Sequence, residues 1–255
     1  MGQRLLTGFA GGAFIGLVTY LGGSLYDFVF LGITCIGIYE LSRVFFDKAF
    51  DYGALVNYIF AIALFVEKVT ENRHFFDFFF FLYISVNFLI FVFNKKVTIK
   101  KVSEILFMGT YVVFFMYHMM LMNNTKYVWL VYIIAFGSDT FAYFTGKFFG
   151  KKKLCPEVSP NKTVEGAIGG IFGSTLLSLI YFNYLSINKY FYIIIFSIST
   201  SIFSMAGDLT ASKIKREYGI KDFGKLLPGH GGIMDRFDSV LFVAPAVYYF
   251  VLHFL

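Results

Sequence analysis

Apolar residues fall into roughly nine runs long enough to cross a bilayer, at approximately 5–23, 25–45, 52–66, 75–93, 102–122, 127–149, 164–184, 189–207 and 234–254. A helical crossing takes about 17–25 mostly apolar residues, so the pattern predicts an all-α polytopic membrane protein with about nine transmembrane helices. Composition agrees: 58% of the 255 residues are hydrophobic and only 15% are charged, against about 25% charged in soluble chains. The surplus apolar surface has to face lipid. The third run is short, and a cleaved leader is not expected before eight further spans. Leu6 stands where an N-myristoylation signal needs Ser or Thr.

A net charge of +6 in a soluble chain would raise nucleic-acid binding; in a membrane protein it marks cytoplasmic loops, and no nucleic-acid partner is expected. With the N-terminus inside, nine spans put eighteen Lys and Arg on the inner side and leave Lys68, Arg73, Lys126 and Lys189 outside. The expected topology is therefore N-terminus cytoplasmic and C-terminus outside. Cys35 and Cys155 form neither a CxxC pair nor a zinc spacing. The chain divides into residues 1–126, about five structural, lipid-facing helices with few intramembrane polar groups, and a catalytic region 127–255 with polar loops at 147–163 and 208–233. The Phe-rich stretch 75–81 reads as lipid-facing bulk.

Asp139 lies well inside the sixth run, where a carboxylate costs roughly 2.5–3.5 kcal/mol and generally faces a partner or a wet cavity. Asp139, Tyr143, Gly146, Lys147 and Gly150 recur at helical steps of three or four and share a face. In the loop beyond, Ser159-Pro160-Asn161 reads as a turn, Thr163 as a helix cap and Glu165 as a first-turn acid. A helix start beside Lys162 suits phosphate oxygens. Gly166, Gly169, Gly170 and Gly173 form small-xxx-small pairs that read as close helix packing. Lys151 to Lys153 read as an orientation signal and a contact for anionic lipid.

The second polar region runs from Gly207-Asp208 through Ser212, Lys215, Arg216, Lys221 and Asp222 to Asp235, Arg236 and Asp238. Asp235 and Asp238 are three apart at the head of the ninth run, so on a helix they fall within about 60° of each other. Such a pair entering a membrane repels itself unless a cation intervenes, and oxygen-only ligands suggest Mg2+. Pro228-Gly229-His230-Gly231-Gly232 is a flexible turn whose amides suit an anion.

From Ser212 to Asp238 the chain reads S-x-I-K-R-x4-K-D-x-G-x2-L-P-x-H-G-G-I-x-D-R-F-D, which resembles the signature of the phosphatidate cytidylyltransferase family, the CDP-diacylglycerol synthases. Ser138-Asp139-Thr140, Gly146-Lys147, Ser159 through Gly166 and Gly207-Asp208-Leu209 also resemble that family's pattern. The resemblance is strong over roughly 135–240 and only topological before it. It implies transfer of a cytidylyl group from CTP to phosphatidic acid in the bacterial cytoplasmic membrane, at a site facing the cytoplasm. Mg2+ is implied on Asp208, Asp235 and Asp238, together with a second cation, K+ being the candidate, and a homodimer.

On this reading Lys215, Arg216, Lys221 and Arg236 contact phosphates, with Asp222 and His230 beside them in the catalytic set. Asp139, Lys147, Ser159, Asn161, Lys162, Thr163, Glu165, Gly229 and Gly231 form the substrate-binding set. Which of them hold the lipid phosphate and which the nucleotide stays open, as does a place for Asp139 in the metal shell. Two other classes fit parts of the pattern: a cation-coupled transporter, since buried Asp and Gly-rich helices also mark ion pathways, and a CTP-dependent lipid kinase, which would move the γ-phosphate instead.

Overall fold

The structure, a computed structural model, describes residues 2–48, 50–70, 75–226, 229 and 231–255, with side chains from residue 8 onward. Among the described residues there are nine helices: α1 (Gly2–Leu21), α2 (Gly23–Phe46), α3 (Tyr52–Val69), α4 (Phe76–Phe93), α5 (Ile99–Leu121), α6 (Val128–Phe149), α7 (Val164–Tyr184), α8 (Tyr190–Glu217) and α9 (Met234–Phe254). Eight are long and apolar enough to cross a membrane; the apolar stretch of α1, Gly8–Leu21, is shorter. The expected all-α polytopic architecture is what the chain adopts, with one two-stranded hairpin added, β1 (Lys153–Cys155) and β2 (Ser159–Thr163).

The chain forms two compact units, residues 1–124 with 222–234, and residues 125–221 with 235–255. In the first, α2, α3 and α5 pack around apolar side chains such as Phe30, Leu41, Leu64 and Met119. The expectation of few polar groups in this half is corrected: Asp27, Glu40, Asn57, Glu67, Asn87 and His118 are all buried. They are accommodated because each meets a partner in place of lipid. Asp27 is ion-paired with Lys68 and accepts from Asn123 Nδ2 at 2.9 Å. Tyr117 donates to Glu67, and Asn57 Nδ2 donates to the Gly53 carbonyl at 2.8 Å. Residues 109–114 of α5 widen into a π turn, beside which Tyr83 Oη donates to the Ile105 carbonyl at 2.8 Å. Of α4 only Tyr83 and Asn87 are buried, which fits the lipid-facing reading of its phenylalanines.

The second unit is built on the close pairing of α6 and α7. A Cβ at Gly170 would stand 2.8 Å from the Ser138 carbonyl oxygen, and one at Gly166 would stand 2.8 Å from that of Ala142. The glycine row therefore serves packing, as expected. Hydroxyl pairs link both helices to α8: Ser138 with Ser204 at 2.8 Å, and Ser174 with Ser201 at 2.5 Å. Such pairs satisfy polar atoms that lipid cannot.

Two expectations about the polar loops are corrected. Ser159-Pro160-Asn161 is not a turn but the start of β2, antiparallel to β1 with Lys153 opposite Thr163 and Cys155 opposite Ser159. Residues 208–217 are not loop but the last three turns of α8. The strong helix formers Ala211, Lys213, Lys215, Arg216 and Glu217 carry that helix on, and Ala211 and Ile214 are buried. The helix stops at Gly219, whose φ is +64°. There Gly219 N–H reaches the Arg216 carbonyl at 3.2 Å and Ile220 N–H that of Lys215 at 2.8 Å, the double bond of a Schellman stop.

Candidate active site

Within the second unit a cavity of about 640 Å³ opens between the polar ends of these elements, a size typical of small-ligand sites. Helix α6 contributes Asp139, Tyr143 and Lys147; the hairpin contributes Asn161, Lys162 and Thr163; α8 contributes Asp208 and Lys215; α9 contributes Asp235, Arg236 and Asp238. Each contribution has a local cause. Asp208 and Lys215 are seven residues apart, two helical turns, and so share a face of α8. Asp139, Tyr143 and Lys147 repeat at four and form one stripe of α6.

Gly207 explains how Asp208 meets α9. A Cβ there would collide with the Asp238 carbonyl and come within 3.0 Å of Phe242. Only glycine lets the two backbones approach this closely. The hairpin is pinned at both ends. Thr163 Oγ1 accepts from Gly166 N at 3.1 Å, the expected cap, and the Glu165 carboxylate accepts from the amides of Lys151 at 3.0 Å and Lys152 at 3.2 Å.

The cavity's charges interleave. Lys162 is ion-paired with Asp208, and Lys215 with Asp235 at 2.7 Å. Ser239 Oγ donates to Asp139 Oδ2 at 3.0 Å, and Ser212 Oγ to Asp208 Oδ1 at 3.4 Å. Asp139, Asp208 and Asp238 stand near enough to feel one another's charge, tempered by Lys162 and Lys215. Four carboxylates and four cations, Lys147, Lys162, Lys215 and Arg236, thus line one space. Among the described residues no set of three or more His, Cys, Asp or Glu converges into a ready-made metal cage. The donors suit a cation completed by water and phosphate oxygens, the usual habit of Mg2+.

Ten of the sequence-predicted residues meet here: Asp139, Lys147, Asn161, Lys162, Thr163, Asp208, Lys215, Asp235, Arg236 and Asp238. Others stand elsewhere. Ser159 and Glu165 belong to the hairpin and its anchor and do not line the cavity; Arg216 and Lys221 are exposed and do not line it either. Asp222, Gly229 and Gly231 fall in the first unit, the two glycines at φ +77° and +82°, and His230 lies outside the described residues. Sequence reasoning missed Ser239 as the partner of Asp139; its only signal was adjacency to Asp238.

The family model described as the Cytidylyltransferase family matches residues 2–254 of the chain. Among curated proteins, the phosphatidate cytidylyltransferase of Bacillus subtilis (strain 168) is 46% identical over 124 residues, 48% of this chain and 46% of that protein. Those of Staphylococcus aureus (strain COL) and Staphylococcus saprophyticus are each 44% identical over 124 residues, 48% of either chain. These alignments span about half the length of the curated relatives they match.

Proposed function

The chain belongs to the Cytidylyltransferase family, and on that premise we propose that it transfers the cytidylyl group of CTP to phosphatidic acid, giving CDP-diacylglycerol and pyrophosphate. The observation that carries the proposal is the cavity lined by four carboxylates interleaved with four cations. A phosphate oxygen of the lipid attacks the α-phosphorus of CTP; the new P–O bond forms as the bond to the β-phosphate oxygen breaks, and that oxygen leaves with pyrophosphate. The attacking phosphate monoester, with a second pKa near 6, is already largely ionised at neutral pH. No general base is required. The barrier is repulsion between two polyanions, which fixed charges and in-line positioning lower.

Each lining group then has a task. Lys147, Lys162 and Arg236 bind phosphate oxygens, Arg236 through its planar fork. Lys215, paired with Asp235, holds the first turn of α9 and offers its remaining N–H donors to the triphosphate. Asp208 and Asp238 would hold Mg2+, with Asp139 beside them. When bound, the ion would neutralise triphosphate charge and orient the α-phosphoryl group. A second cation such as K+ fits a site where three carboxylates repel one another. Because CTP is water-soluble and phosphatidic acid is a lipid, the cavity is proposed to open to the cytoplasm and to the inner leaflet of the bacterial membrane. The N-terminus then lies inside and the C-terminus outside.

Purified protein with phosphatidic acid, Mg2+ and CTP labelled separately at the α- and γ-phosphates tests this reading. The expected result is α-label in lipid and γ-label in pyrophosphate. γ-Label in lipid would replace the reading with a kinase, and no label in lipid from correctly folded protein would overturn it.

A further inference from the structure

Glu40 on α2 is 2% exposed and serves no part of the cavity. Its carboxylate accepts the backbone N–H of Ile233 at 3.0 Å and of Met234 at 2.9 Å. Met234 opens α9, so these are amides of the kind that a helix start leaves without an intrahelical acceptor. A negative charge is also favoured there by the helix dipole. A side chain from a helix nearly two hundred residues earlier thus does the work of an N-cap.

The glycines around Glu40 are fitted to it. A Cβ at Gly232 would stand 2.6 Å from Glu40 Cδ, and one at Gly224 would stand 3.0 Å from the same atom. One turn before Glu40, Gly37 makes room for Met234: a Cβ there would stand 2.8 Å from its Sδ. Gly37 and Glu40 lie on one face of α2, and that face receives the end of the glycine-rich segment. Among the described residues between Ile220 and Met234 there is no helix, and backbone pairing is confined to a single bridge at Gly231. The Glu40 carboxylate is therefore one of the anchors that fix where the segment's end at Ile233 and Met234 lies. The residue after Met234 is Asp235, followed by Arg236 and, two further on, Asp238.

We propose that Glu40 is a positioning residue for cytidylyl transfer: its carboxylate anchors the glycine-rich segment and the first residues of α9, and so sets the register from which Asp235, Arg236 and Asp238 project. The inference rests on the reaction proposed above, since displacing acids and an arginine by about 1 Å can cost on the order of 100-fold in rate. It also accounts for Gly224 and Gly232 without giving either a role in binding substrate.

The test compares E40Q, E40L and G232A with wild type, as full-length protein in detergent, by two readouts. Trypsin cleavage at Lys221 and Lys225, both exposed, reports on the segment without any reaction. kcat and KM for CTP and phosphatidic acid report on the site. E40L and G232A are expected to speed cleavage at least about tenfold and to lower kcat about 100-fold in protein of normal helicity, while E40Q, which keeps one acceptor oxygen, falls between. Wild-type cleavage and kcat in E40L would overturn the proposal, as would a loss of folded protein with kcat unchanged per folded molecule. If E40L does not accumulate, E40Q and G232A decide by the same criteria. Should wild type form no lipid product, the reaction reading fails, and the cleavage arm still judges the anchor.

Discussion

Two arginines of the signature, Arg216 and Arg236, offer the same chemistry in sequence but not in space. Arg216 follows Lys215, and one residue on an α-helix turns the side chain by about 100°, so with Lys215 facing the cavity Arg216 points away and is exposed. Arg236 lines the cavity. R236A should therefore lower kcat/KM about 100-fold, some 3 kcal/mol, whereas R216A should change it by less than about threefold; steady-state kinetics with CTP varied distinguish them. A comparable loss in both variants would mean that α8 turns a different face to substrate. The acids separate similarly. Asp235 is ion-paired with Lys215 and Asp208 with Lys162, while Asp238 stands in the field of Asp208 and Asp139. D238N should raise the Mg2+ concentration needed for half-maximal rate more than D235N does, because the latter disturbs an ion pair first. Residue types lining this cavity were legible in the sequence, since so many opposed charges in an apolar chain have to gather away from lipid. Their pairing was not, because it depends on helix rotation and on residues from different elements far apart in the chain, such as Lys162 and Asp208.

At the scale of elements, the site depends on how near helices can come. Gly207 admits the backbone of α9 at Asp238, and its replacement forces α8 and α9 apart by roughly a methyl group. Such overpacking costs about 1–3 kcal/mol. G207A should thus lower the midpoint of thermal unfolding by several degrees and kcat by at least about tenfold, with circular dichroism and turnover measured on the same preparation. An unchanged kcat would mean that the acids tolerate the displacement. The apolar runs gave the helices to within a few residues, because hydropathy is a sum over many positions. The polar ends were harder. A helix of Lys, Arg, Glu and Ala looks like a loop when hydropathy is the guide, and α8 runs ten residues past the end of its apolar run, at 207. The hairpin was hidden for a different reason: β2 begins with Ser-Pro-Asn, a turn-like triplet, and is held as a strand by Thr163, by Glu165 and by pairing with β1.

For the molecule as a whole, the direction in which the chain crosses the membrane has the largest consequence, because CTP, the proposed substrate, is confined to the cytoplasm. Eighteen of the 22 basic residues fall on one side of a nine-span arrangement, and the side that holds them is expected to be the inner one. The two free cysteines offer a direct reading. Cys155 ends β1, in the hairpin that also supplies Asn161 and Lys162 to the cavity, whereas Cys35 lies within the span α2. A membrane-impermeant maleimide should label the protein in inverted membrane vesicles and not in right-side-out ones, and C155S should abolish that labelling while C35S leaves it intact. Phosphatidic acid and CTP together should slow the reaction at Cys155, since the hairpin that carries it also lines the cavity proposed to bind them. Labelling from the outer face would instead put the cavity where no CTP reaches it, and the charge asymmetry would then have to be explained by something other than orientation.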